Sequence, residues 1–176
     1  MTTVSNWDAT AFFERLTATN RLAKNKNFAF RRVSGLQGFE DALASLQTTT
    51  AFVCVSDTSE GYTELNNTPR TRRVKTVFFA MRHQIGNMAA RLACFDIMRE
   101  LFRQYMSVLI LESTRLQEQS LYLDPRIRFS EIPEYFASGC ACASFQVAVD
   151  IYTDLRYNES EWLSEAAQSP SQSQQP

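Results

Sequence analysis

Apolar positions recur along this chain with two periods, and the switches between them set the order of its elements. WDATAFFERLTATNRLA places Phe12, Phe13, Leu16 and Leu22 on one helical side, and Ser5 with Asp8 three positions later reads as a capping box opening that helix. NKNFAFRRVSG is a short strand with Phe28, Phe30 and Val33 as its apolar content, closed by Gly35. In GFEDALASLQTTT, residues Phe39, Ala42, Leu43 and Leu46 have the spacing of one helical face. AFVCVS is a compact apolar run of strand length. DTSEGYTELNNTPRT follows, rich in turn formers, and VKTVFFAMRH is a second strand. Residues 51–83 therefore read as a hairpin of two strands joined by a long polar loop.

From Met88 to about Gln119 the chain contains no Gly or Pro, and Asn87 stands where a cap belongs. Met88, Leu92, Phe95, Met98, Phe102, Tyr105, Leu109 and Leu116 recur three, four or seven apart, which predicts a long helix. A second apolar stripe (Ile97, Leu101, Val108, Ile110, Leu111) exceeds what one packed face needs. Either it meets a neighbour, or a kink near Ser107 folds both stripes inward. After the turn at Asp124-Pro125, RIRFSEIP is a strand stopped by Pro133, and PEYFASG is a connection. CASFQVAVDIYTDL alternates cleanly. Ala143, Phe145, Val147, Val149 and Ile151 share one face; Ser144, Gln146, Asp150, Tyr152 and Asp154 lie mostly on the other. After Trp162 the composition turns to SEAAQSPSQSQQP, which has little to bury. The expected architecture is α+β: one domain over residues 1–163 and a disordered tail over 164–176. An antiparallel or mixed sheet is packed by helices mainly on one face.

Composition narrows the class. At 176 residues and 44% hydrophobic content, the chain can bury a core of its own. Formal net charge is -1 and the pI about 5.9, so no global field draws it to nucleic acid or to an anionic membrane. No apolar run reaches transmembrane length, and MTTVSNWDATAFFERL lacks the order of a signal peptide.

Candidate chemistry is sparse. His83 is the single histidine, and it ends an apolar strand between Arg82 and Gln84. The glycines at 35, 38, 61, 86 and 139 are scattered, and GLQG is followed by no Lys-Ser or Lys-Thr, so phosphate-loop, dinucleotide and nucleophile-elbow patterns are missing. Asp57 with Glu60, and Asp150 with Asp154, are the acidic pairs worth naming, and both read as solvent-facing or loop-borne. Cys140 and Cys142 lack the two-residue gap of a zinc or redox motif and are assigned to opposite faces of a strand. They, Cys54 and Cys94 are expected to be reduced, mostly buried thiols of a cytosolic product. The expectation is a protein that is not an enzyme, with no cofactor and no metal.

One stretch stands out. NNTPRTRRVKTVFFAMRHQIGN sets Arg70, Arg72, Arg73 and Lys75 against a hydrophobic run. On a strand, Arg73 and Lys75 share a face with Val77, Phe79 and Met81, while Arg72 shares the other with Val74, Thr76 and Phe78. The charge is therefore expected beyond the packed sheet, at the distal end of the hairpin. There it faces Asp57, Glu60 and Glu64 of the other arm, with Tyr62 as the nearby aromatic. Three uses fit: a solvated hairpin, a hairpin that docks on another protein, and phosphate contact.

In the order and character of NWDATAFFERL, VSGLQGFEDALASL, AFVCVSDTSEG with RRVKTVFFAMRH, MAARLACFDIMRELFRQYM and ASFQVAVDIYTDL, the chain resembles the tail terminator (tail completion) proteins of tailed bacteriophages. The likeness covers most of residues 6–155. It implies a structural virion protein, made in the host bacterial cytoplasm, that forms a ring, usually a hexamer, at the end of the tail tube. Its partners are then its own copies, the tail tube protein and the head-tail connector, with no membrane and no nucleic acid. It further implies an assembly interface at the hairpin, formed by Glu60, Tyr62, Glu64, Arg70, Arg72, Arg73 and Lys75. Other neck or minor tail proteins share the plan, and a nucleic-acid-binding α+β module is the alternative from a different class.

Overall fold

The computed structural model describes residues 7–45, 48–133 and 139–162. In chain order the elements are α1 (Ala9–Thr19), α2 (Arg21–Asn25), β1 (Phe28–Val33), α3 (Gly35–Ser45), β2 (Ala51–Ser56), β3 (Glu60–Glu64), β4 (Arg70–Arg82), α4 (Met88–Glu118), β5 (Leu121–Leu123), β6 (Phe129–Ile132) and β7 (Cys140–Tyr152). The fold is α+β as the order of segments implies, and of the two sheet types expected, antiparallel or mixed, it has the mixed one. Leu46, the 134–138 part of PEYFASG and the tail 164–176 lie outside the described residues.

Side-chain caps set the helix starts. Asp8 is itself the cap of α1, its carboxylate accepting from the Ala11 amide at 2.9 Å. The helix thus begins about one turn later than a box headed by Ser5 would place it; Ser5 lies outside the described residues. Asn87 caps α4 as its position predicts, accepting from the Ala90 amide at 2.9 Å. α4 runs as one α-helix through Ser107, whose hydroxyl donates to the Gln104 carbonyl at 2.7 Å.

The buried face of α4 holds Cys94, Phe95, Met98, Leu101, Tyr105, Leu109 and Leu116. Leu101 therefore belongs to the inner face and not to the second stripe. Ile97 packs at its margin, while Val108, Ile110 and Leu111 are exposed. Met88 and Leu92, counted inward by their spacing, are about half exposed. Both stand in the first turns of α4, ahead of Cys94 and Phe95, the first residues that the helix buries.

β4 is the axis of the sheet. It pairs antiparallel with β7 over all thirteen residues, Arg70↔Tyr152 to Arg82↔Cys140. On its other side β2 covers Val77–Met81 and β3 covers Arg70–Val74, both antiparallel. β1 joins β2 in parallel, with α3 as the crossover. β5 and β6 pair with β7 on the far side. The polar loop expected between the two long strands therefore contains a strand, β3, and the turn before RIRFSEIP is preceded by another, β5.

Two main cores result, one on each face, with a smaller buried cluster of Leu116, Leu121, Val149 and Ile151. α1, α2 and α4 press Phe12, Phe13, Leu16, Ala23, Phe95, Met98, Leu101 and Tyr105 onto Val53, Val55, Val77, Phe79, Phe145 and Val147. Here the Thr17 hydroxyl donates to the Phe13 carbonyl at 2.8 Å, and the Tyr105 hydroxyl donates to Thr17 at 2.8 Å. Both buried hydroxyls are satisfied, and burial pushes the Tyr105 phenol above its usual range. On the opposite face α3 sets Phe39 and Leu43 against Phe52, Cys54, Phe78, Ala80, Cys140 and Cys142. Cys140 and Cys142 thus lie on one face, not two, because residues two apart on a strand point the same way.

Candidate functional site

The basic segment does not leave the sheet. Arg70, Arg72, Arg73 and Val74 are flanked by β3 on one side and β7 on the other. This corrects the expected free arm. β7 is as long as β4 and holds it to its end, so what ends early is the helix layer. α3 covers the sheet only as far as Phe78 and Ala80. Past Phe78 the same face carries Thr76, Val74, Arg72 and Arg70 of β4, with Gln146, Ala148, Asp150 and Tyr152 of β7, all half-buried or exposed.

Strand register arranges that surface in rows. Tyr62, Arg72, Asp150 and Tyr122 lie side by side across β3, β4, β7 and β5. At the centre the Arg72 guanidinium donates to the Tyr62 hydroxyl at 3.3 Å and to the Asp124 carboxylate, and its Nε lies 3.3 Å from Asp150. The hydrogen bond to Tyr62 and the nearby Asp150 and Asp124 raise the Arg72 pKa further, so the cation is permanent. In the next row Glu64, Arg70 and Tyr152 are neighbours, and the Arg70 guanidinium sits 5.0 Å from the Tyr122 ring centre. Glu60 stands exposed beside Val74, and Glu64 accepts from Asn66 at 3.3 Å.

The seven residues expected at the interface therefore divide. Glu60, Tyr62, Glu64, Arg70 and Arg72 share the uncovered face, whereas Arg73 and Lys75 point to the opposite side. There they line a hollow of about 510 Å³ with Trp7, Asp8, Asp57, Ser59 and Val149. The Lys75 ammonium donates to the carbonyls of Ser56, Asp57 and Thr58 at 3.1, 2.7 and 3.0 Å, which fastens the bend between β2 and β3. Partial burial lowers its pKa, with the Asp57 and Asp8 charges acting against that. Lys75 is thus a structural cation.

The remaining candidates are also accounted for by local contacts. The His83 ring donates from Nδ1 to the Gln84 carbonyl at 3.0 Å. Asp57 accepts from the Ser34 hydroxyl at 2.8 Å. Asp150 and Asp154 do not act as a pair: Asp150 faces Arg72, and Arg156 grips Asp154, holding its carboxyl down at about 2. Among the described residues no group of three His, Cys, Asp or Glu is placed to hold a metal ion. No helix among them is long and apolar enough to cross a membrane.

Sequence reasoning missed Asp124, Tyr122 and the role of Asp150. Alternation places Asp150 on the right face, but only the β4–β7 register shows that it meets Arg72. Comparison of the sequence with protein-family models and with curated proteins finds no match.

Proposed function

We propose that this protein is a structural assembly protein of a phage virion, a tail terminator that forms a ring at the end of the tail tube and joins it to the head connector. The ring is hexameric on the resemblance drawn from the sequence, and the protein catalyses nothing. The observation that carries the reading is the uncovered stretch of sheet across β3, β4, β7 and β5. It presents exposed tyrosines (Tyr62, Tyr122, Tyr152) around a charge group already ordered by Arg72. Aromatic side chains with polar tips set among organised charges suit a protein contact, because little conformational entropy remains to be lost on docking.

The state of the basic residues weighs against the nucleic-acid reading. Arg72 is engaged by two carboxylates and Lys75 by three carbonyls, so neither offers its charge openly to phosphate. Light scattering on the purified protein, with and without nucleic acid, tests the choice. A discrete mass several times the 20.1 kDa of one chain, unchanged by nucleic acid, is the expected result. A monomer that binds nucleic acid with steep salt dependence would put the alternative in its place.

A further inference from the structure

We propose that copies of this chain join head to tail through two of the free edges of the sheet, the acidic β3 edge of one copy lying along the basic edge formed by residues 126–132 of the next. The inference rests on the ring reading and names the contact that would close it. Among the described residues β3 pairs only with β4 and β6 only with β7, so each has one side without a strand partner. A strand side of this kind can take another strand, although the Ile132 carbonyl accepts from Arg91 at 3.3 Å.

The two edges differ in charge. β3 (EGYTE) is exposed at every position and carries Glu60 and Glu64 with no basic residue. On the far side of the sheet Arg126 and Arg128 stand exposed between β5 and β6. The Asp124 carboxylate accepts from the Arg126 backbone amide at 2.9 Å and holds that turn. Glu131, the acid on the same edge, is bound by Arg99 at 2.6 and 3.0 Å.

Opposite charges facing across a strand pair stabilise it, and like charges oppose it. Two β3 edges would set Glu against Glu, and two basic edges Arg against Arg. Between these two edges charge therefore selects the mixed pairing. Because the two edges sit on opposite sides of one sheet, that contact is heterologous. Repetition closes a ring where the rotation per copy allows, and otherwise runs on as a filament.

Sedimentation velocity over a wide concentration range tests this on the full chain. The variants are Glu60→Lys with Glu64→Lys, and Arg126→Glu with Arg128→Glu. All four positions are exposed, so circular dichroism should match the parent. Each double variant alone is expected to associate more weakly by about tenfold or more. An equal mixture of the two should recover association, because each then offers the edge that the other lacks. A parent that stays monomeric, or variants that keep the parent mass, would overturn the edge pairing. Variants that fall to monomers yet still complete tails of normal length would leave the edge pairing standing and remove the tail-terminator reading.

Discussion

Arg72 and Arg73 are neighbours in sequence with opposite surroundings, and a strand's period of two is the reason. Arg72 lies among Tyr62, Asp124 and Asp150 with its side chain 22% exposed, whereas Arg73 is exposed on the other face. Arg72→Ala is expected to cost about 2–3 kcal/mol, since it leaves two half-buried carboxylates together without their cation. Arg73→Ala is expected to cost less than about 1 kcal/mol. Urea denaturation of the two variants checks the contrast, and equal costs would mean that the Arg72 group is not organised as described. The cysteines give a second test at this scale. All four are buried thiols, and desolvation pushes Cys54 up to about 12. The native protein should leave a thiol reagent almost unreacted near neutral pH, and all four should react once it is unfolded. A folded-state pKa above the unfolded value means that the native state holds this proton longer. The stability linked to Cys54 is thus fully present below its ordinary value near 9 and is lost as pH rises from there to about 12. Urea midpoints measured across that window should fall, and Cys54→Ala should flatten the fall.

At the scale of elements, legibility followed the strength of the apolar signal. α4 was readable because a run without Gly or Pro, a cap at Asn87 and a 3.6-residue period all agree. β7 was readable because one face is buried and the other is not. β3 was not: all five of its residues are exposed, so EGYTE carries no buried face to alternate, and pairing with β4 alone makes it a strand. β5 is three residues long and follows the helix after a short turn, too brief to show a period. Position on α4 decides the cost of truncation. Phe95→Ala is expected to destabilise by about 3–5 kcal/mol and Ile110→Ala by no more than about 0.5 kcal/mol, since Phe95 is buried and Ile110 is exposed. Thermal or chemical unfolding checks both, and reversed costs would mean the helix turns its other face to the sheet. Gly61 sets the fit of β3 to β4, because a Cβ there would run into the Arg72 carbonyl. Gly61→Ala should therefore raise amide exchange across β3 and leave β7 protected. Unchanged exchange in β3 would show that the hairpin adjusts without cost.

For the molecule as a whole, the α+β class and helices mainly on one face were legible, with the sheet read as antiparallel or mixed, but which helix takes the other face was not. Nothing in the spacing of Phe39 and Leu43 tells that α3 is the one helix among the described residues on its side and stops at Phe78, leaving the distal sheet uncovered by helix there. That depends on which strands become neighbours, a matter of long-range pairing that local periodicity does not encode. It is this open sheet, with Glu60, Tyr62, Glu64, Arg70 and Arg72 brought onto one face and, among the described residues, β3 and β6 each paired on one side only, that supports the assembly reading. The most direct test of the proposed ring is electron microscopy of tubes formed by its proposed partner, a tail tube protein, assembled with and without this protein. With it, tails should have one length and end in a ring of its copies; without it, tubes should grow to varied lengths. Tails of the same uniform length in both cases, with no ring at the end, would contradict the account.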